Sequence, residues 1–289
     1  MNGLLVVDKP GGMTSHDVVS RVRRLTGEQS VGHLGTLDPM ATGVLPLLLG
    51  KYTRLAQFFS TADKTYTGTI RFGFATDTYD AEGVAVGEPM EPVLTLQQVR
   101  GAAIPFHGEV EQMPPVFSAK KIGGKAAYKL AREGKPVELK SKMVSIHEFQ
   151  IEELRGDTAS FRLTISAGGY VRSVAHEMGQ TLGCGAHLSS LRRTHAGVFC
   201  LDQAWTLEAL GELGPDIQRA TLHPRTLLPE MPCVSGDSVA LGKMRNGGQA
   251  NLAEFSDAPM VKVFAGQREL TAIAKRIAGT LFQPVIVMA

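Results

Sequence analysis

Residues Lys64–Gly73 read KTYTGTIRFG. Tyr66, Gly68, Ile70 and Phe72 share one face of an extended chain, and Thr65, Thr67, Thr69 and Arg71 share the other. This period of two predicts a half-buried strand. TASFRLTIS (Thr158–Ser166) alternates in the same way, and MVSIHEFQIEEL (Met143–Leu154) before it predicts a neighbouring strand. Helical spacing occurs between such segments. Thr14, followed three residues later by Asp17, forms a capping-box pattern, and Val18, Val19, Val22 and Leu25 continue to a stop at Gly27. GLLVVD (Gly3–Asp8) predicts a buried strand, Thr95 the start of another helix, YTRLAQFF (Tyr52–Phe59) an amphipathic helix, and GVAVGE (Gly83–Glu88) a partner strand for Lys64–Gly73. GGYVRSVAHEMGQTLG (Gly168–Gly183) predicts a tight turn into a helix, and a short helix is expected from Thr206. Such a pattern of strands and helices predicts a mixed α/β core.

The chain has 289 residues, room for a large domain and a small one. Pro215 to Pro232 is irregular and marks a boundary. We expect one domain over 1–230 and a small β domain over 231–289, carried by MVKVFAG, ELTAIAKRI and PVIVMA. No apolar run is long enough for a membrane helix, and the N-terminus lacks the basic start of a signal peptide. These features predict a cytoplasmic protein with no membrane partner. The three cysteines form no CxxC pair. Phosphate-loop, dinucleotide, zincin and serine-hydrolase signatures are missing. The net charge is only +2, but Lys120 to Lys142 carries eight bases against two acids, a local patch suited to nucleic acid or to a solvated helix face.

One loop stands out chemically: GHLGTLDPMATG (Gly32–Gly43). Its glycines allow close backbone approach, and Pro39 biases Asp38 toward extended geometry. A carboxylate held so can point into a cleft, yet Asp-Pro also occurs in plain turns, so the loop alone names no reaction.

Five segments in order resemble those of the TruB-type tRNA pseudouridine synthases: LLVVDKPGGMTSHDVV, VGHLGTLDPMATGVLPLLLG, DKTYTGTIRFG, QMPPVFSAKKIGGKAAYKLAREG and GGYVRSVAHEMGQTLGCGAHLSSLRRT. The resemblance implies that a uridine of RNA, usually position 55 in the tRNA T-loop, is detached at C1′, turned and rejoined through C5, without metal or cofactor. It implies a pseudouridine synthase catalytic domain of the α+β type, with a mixed, largely antiparallel sheet, flanking helices and a cleft across one face, and a C-terminal PUA-like RNA-binding domain. Asp38 falls at the catalytic Asp, Tyr66 at the active-site Tyr, and Arg172 at the basic partner of the Asp. His33, Tyr170, Leu191 and Lys9 fall at substrate-contacting positions, with His33 a wedge that fills the place of the flipped base. Residues 112–142 resemble an RNA-gripping thumb, with Lys120, Lys121, Lys125, Lys129 and Arg132 on the RNA backbone. A monomer acting on the T-loop and acceptor arm of tRNA, with no obligatory protein partner, is implied. A non-catalytic tRNA-binding or RNA-folding protein on the same fold is the alternative.

The chemistry suits these residues. A carboxylate stays ionised if a cation holds its pKa down, and Arg172 supplies a cation with a bidentate grip. The target base must leave its stack, and Tyr66 offers a face to receive it.

Overall fold

Sequence periodicity and burial match in the strands Lys64–Phe72 and Thr158–Ile165 of the computed structural model, which describes residues 1–118, 121–122, 125–126, 130 and 139–288. The strands are β1 (Gly3–Lys9), β2 (Val31–His33), β3 (Thr42–Leu49), β4 (Lys64–Phe72), β5 (Ala75–Thr76), β6 (Ala85–Val86), β7 (Gly108–Gln112), β8 (Lys121–Ile122), β9 (Lys125–Ala126), β10 (Lys142–Arg155), β11 (Thr158–Ile165), β12 (Ala186–Ala196) and β13 (Phe199–Cys200). A second set follows: β14 (Cys233–Ser235), β15 (Ala250–Asn251), β16 (Met260–Ala265), β17 (Glu269–Ala278) and β18 (Leu281–Val287).

Among the described residues the large sheet has nine strands in the order β1-β3-β12-β4-β11-β10-β7, with β2 on β3 and β13 on β12. Only the β3–β12 pair is parallel. The sheet is thus mixed and largely antiparallel, as expected. β11 alternates buried and half-buried residues, and Tyr66, Ile70 and Phe72 of β4 are buried. β1 and β3 are buried almost throughout because both their faces are covered. Leu5 and Val7 join the main core under the helices, whereas Leu4 and Val6 join a second core.

That second core is shared. It also contains Leu34 of the Gly32–Gly43 loop, Phe59 of the turn Ala56–Phe59 and Phe199 of β13, and Phe264, Leu270, Ile273 and Ile286 from the C-terminal sheet. The C-terminal sheet runs β14-β16-β17-β18-β15. Its other face packs on the helix Ser238–Arg245, through Ala240 and Met244, in a third core with Val261, Val263 and Phe282.

The helix Ser15–Thr26 forms as its pattern predicts, with a reciprocal Thr14–Asp17 capping box and Gly27 in the left-handed conformation at its end. Thr95 caps the helix Leu96–Ala103, Tyr170 precedes the helix Val171–Thr181, and Thr206 caps the helix Leu207–Glu212. Two expectations need correction. YTRLAQFF is not one amphipathic helix but a 3₁₀ segment, Gly50–Leu55, followed by the single turn Ala56–Phe59. The Thr53 hydroxyl donates to the Gly50 carbonyl, and Tyr52 and Leu55, three residues apart, are both buried, which suits three residues per turn. GVAVGE does not pair with β4, because β11 and β12 occupy both of that strand's edges. It supplies β6 instead, which pairs with β5.

Candidate active site

The Gly32–Gly43 loop is built by its anchors. Gly43 has φ of 102°, and a Cβ there would lie 2.2 Å from the Arg193 carbonyl oxygen, so only glycine lets the loop lie against β12. The Ser15 hydroxyl accepts from the Leu37 N–H (2.8 Å) and donates to the Leu37 carbonyl (3.1 Å). The Pro39 carbonyl accepts from the Gly12 N–H (2.9 Å) and from Lys9 Nζ (3.1 Å). The N-terminal segment therefore fixes the loop from beneath.

Fixed in this way, Asp38 borders a cleft of about 480 Å³. Tyr66 of β4, Leu191 and Arg193 of β12, and Tyr170 and Arg172 at the start of the helix Val171–Thr181 line the same cleft. Arg172 is buried and meets Asp38 with both ends of its guanidinium: Nη2 donates to Oδ1 at 3.0 Å, and Nε lies 2.9 Å from Oδ2. Nη1 also donates to the Thr78 carbonyl (3.0 Å), Nη2 to the Phe117 carbonyl (3.0 Å), and Nη1 stands 3.3 Å from Asp80 Oδ2. Two carboxylates thus share one guanidinium. The Asp80 Oδ1 in turn accepts from the Thr78 hydroxyl (2.6 Å) and the Glu82 N–H (3.1 Å).

Burial pushes the Asp38 carboxyl above the usual carboxylate range. Arg172 pulls it back, the nearby Asp80 carboxylate adds to the rise, and Lys9 opposes it. Arg172 supplies the lowering charge expected of it, but burial is the larger influence and the net direction is upward. The side chain is one-third open to the cleft (33%), so a substrate can reach it.

The structure brings together Asp38, Tyr66, Tyr170, Arg172 and Leu191 in one lining. The backbone of Tyr170 is clamped by Gln112, which accepts from its N–H (2.7 Å) and donates to its carbonyl (2.9 Å). Lys9 is placed under the loop rather than in that lining. It is fully buried, and Nζ donates to the carbonyls of Pro10 (2.8 Å), Met13 (2.6 Å) and Pro39. Burial lowers its pKa to about 8. His33 lies in β2, outside the lining, and its buried Nδ1 has no hydrogen-bond partner among the described residues. Burial lowers its pKa, so the ring is neutral at pH 7. Lys120, Lys129 and Arg132 lie outside the described residues, and Lys121 and Lys125 are described only as backbone of the β8–β9 ribbon.

Sequence reasoning missed Asp80 and Lys64, and counted Lys142 only among the bases of the 120–142 patch. Asp80 sits in ATDTYDAEG, which reads as an ordinary acidic turn; its burial is the signal, and only the fold shows it. Lys64 and Lys142 line the cleft and donate to the carbonyls of Ala62 (2.5 Å) and Ala167 (3.0 Å). With Arg172 and Arg193 they make the cleft cationic around one carboxylate. Among the described residues no group of three or more His, Cys, Asp or Glu side chains converges as a metal set would, and no helix is long and apolar enough to cross a membrane.

Known proteins share this arrangement of sequence and fold. Residues 23–171 match the TruB family pseudouridylate synthase N-terminal domain, and residues 172–228 match the tRNA pseudouridylate synthase B C-terminal domain. The tRNA pseudouridine synthase B of Solibacter usitatus is 44% identical over the full length of both chains. That of an Arthrobacter species is 40% identical, covering 100% of this chain and 97% of the relative. Among solved structures, a chain of a Cbf5-Nop10-Gar1 complex superposes with a TM-score of 0.69 at 25% identity, covering 96% of this chain and 79% of its own. Two adjoining domain matches and full-length identity of this order leave one conclusion: the chain belongs to the TruB family of pseudouridylate synthases.

Proposed function

We propose that this chain is a tRNA pseudouridine synthase, converting the uridine at position 55 of the T-loop to pseudouridine. The observation that carries the reading is the Asp38–Arg172 pair at the edge of a cationic cleft floored by Tyr66 and Leu191. Asp38 is the only carboxylate in that lining among the described residues. In the proposed reaction the uridine leaves its stack and enters the cleft, its base against the Tyr66 ring. The ionised Asp38 acts at the sugar, the N1–C1′ bond breaks, and the base turns within the pocket. C5 then bonds to C1′, the C5 proton leaves to water, and N1 gains a proton. Arg172 orients the carboxylate and offsets part of its burial. His33 is positioned on the strand that leads into the loop, where it serves as the wedge for the vacated stack. Lys9 holds the loop.

The family relationship and the local charge support tRNA as the macromolecule bound. The 112–142 segment serves as the thumb on the RNA backbone, and the C-terminal unit, 231–289, serves as a PUA-like module on the acceptor arm. The protein works in the cytoplasm as a monomer without an obligatory partner. No feature of the cleft favours a non-catalytic RNA-binding role. The test is a tRNA transcript tritiated at uridine C5. The purified protein alone should release tritium, and Asp38→Asn should release none above background. No release by the wild type would overturn the assignment.

A further inference from the structure

Tyr79 carries φ of 65°, a left-handed backbone disfavoured for any residue with a Cβ. Such an outlier persists only where its surroundings hold it. The residues on either side both grip Arg172: Thr78 through its carbonyl and Asp80 through its carboxylate. The Tyr79 ring stacks on His176 with centroids 3.8 Å apart and planes 11° from parallel. His176 lies one turn beyond Arg172 on the same helix. The helix therefore seizes the Asp77–Gly83 turn twice, by hydrogen bonds at Arg172 and by ring contact at His176.

The imidazole has no other evident task. The Gln180 side-chain amide lies 3.1 Å from His176 Nε2 and donates there, which places the proton on Nδ1. That Nδ1 is buried and has no partner among the described residues. Burial lowers its pKa, and Gln180 and Tyr79 touch the ring. A buried donor left unpaired is unfavourable, so the stack is what holds the ring there. The opposite side of the turn is tied to β12, where the Leu188 N–H donates to the Tyr79 carbonyl and the Ala81 N–H to the Leu188 carbonyl (both 3.0 Å).

We propose that the Tyr79–His176 stack is a positioning brace: it sets the turn that aims Asp80 and Thr78 at Arg172, and through Arg172 it sets the catalytic Asp38. The brace rests on the roles given above to Asp38 and Arg172, and neither of its rings lines the cleft.

Full-length His176→Ala and Tyr79→Gly test the loss of the stack, and His176→Phe and Tyr79→Phe test its conservation. His176→Ala and Tyr79→Gly should lower kcat about tenfold, with KM within about twofold of wild type, because a misplaced group loses rate rather than binding. The two Phe variants should stay within about twofold of wild type in both constants, since flat rings stack without the polar atoms. A second measurement does not depend on turnover: carbon NMR titration of the Asp38 carboxyl. Its midpoint should rise in His176→Ala, where Arg172 opposes burial less well, and stay in place in His176→Phe. An unmoved midpoint in His176→Ala, a Phe variant as impaired as the Ala variant, or a change in KM alone would each overturn the brace. Wild-type protein that releases no tritium overturns the proposed activity, and the titration still decides the brace.

Discussion

Asp38 shows how an active residue can work against folding. Its carboxyl is pushed up by burial, so the folded state binds a proton more tightly than the unfolded chain does. The charge thus costs stability once pH rises past the ordinary carboxylate range, and the cost grows until the folded pKa is passed. Arg172 limits that cost but also needs a partner, and in Asp38→Asn it keeps Asp80, Thr78 and Phe117. These effects oppose each other, and we predict that Asp38→Asn changes unfolding free energy at pH 7 by less than about 1 kcal/mol. Denaturant titration reads this. The same variant should lose at least about a thousandfold in turnover. Arg172→Ala is different, because it leaves Asp38 and Asp80 facing each other without their shared cation. A loss of about 3–5 kcal/mol is expected at pH 7, shrinking as pH falls and the carboxyls protonate. With Asp38 acting ionised, as proposed, kcat/KM of the wild type should fall on the acid side with a midpoint above the ordinary carboxylate value of about 4. A midpoint below that value would contradict the dominance of burial. At this scale the proline and three glycines around Asp38 marked its loop, and the resemblance of the companion segments singled out the residue. Asp80 was not, because nothing in TDTYDAEG distinguishes a buried carboxylate from a solvated one.

Secondary-structure elements were legible where burial followed a simple period. β4, β10 and β11 announced themselves, as did the capped helix Ser15–Thr26. β12, which lies between β3 and β4 in the large sheet, did not. Its buried positions include His187 and Arg193, so polar side chains mask the alternation. Arg193 is fully buried because Nε donates to the Val44 carbonyl (2.7 Å) and Nη2 to the Gly35 carbonyl (3.1 Å). It therefore fastens β12 to both ends of the catalytic loop. Elements also set the charge of the cleft: Lys64 begins β4 and Lys142 begins β10. If they meet RNA phosphates, each should contribute to counterion release. Lys64→Met and Lys142→Met are predicted to reduce the slope of log affinity against log salt by about 0.7–0.9 each. Filter binding of tRNA across a salt series measures this, and an unchanged slope would place the phosphates elsewhere. Burial already lowers the pKa of Lys64, with Arg193 adding to the effect, so an incoming anion should raise it.

On the scale of the molecule, the irregular stretch after Pro215 suggested a boundary between separate units. A separate C-terminal sheet does follow, but one of its faces completes a core begun by β1, β3 and the Phe59 segment. Composition could not reveal this, because an apolar residue bears no mark of which neighbour will cover it. Lys262 reinforces the junction, its buried Nζ donating to the carbonyls of Arg225 (2.8 Å) and Leu227 (2.5 Å). Arg54 adds a hydrogen bond to the Val287 carbonyl (2.7 Å). A chain ending at residue 231 would uncover Leu4, Val6, Phe59 and Phe199 together. We predict that such a truncation aggregates or exposes dye-binding apolar surface, and does not remain a folded enzyme with weaker tRNA affinity. Size-exclusion chromatography and dye fluorescence distinguish the two outcomes.

The two-sided burial of β1 also has a meaning in time. The first strand pairs with β3, which lies within the first fifty residues, but its Leu4 carbonyl needs the Leu222 N–H (2.8 Å), its Val6 carbonyl needs the Trp205 N–H (2.9 Å), and its outer face needs Phe264 and Ile286. Lys9, at the end of that strand, holds the Asp38 loop. During synthesis the Asp38 loop therefore lacks its full support until β16 to β18 have left the ribosome, so an early strand is completed by strands made much later.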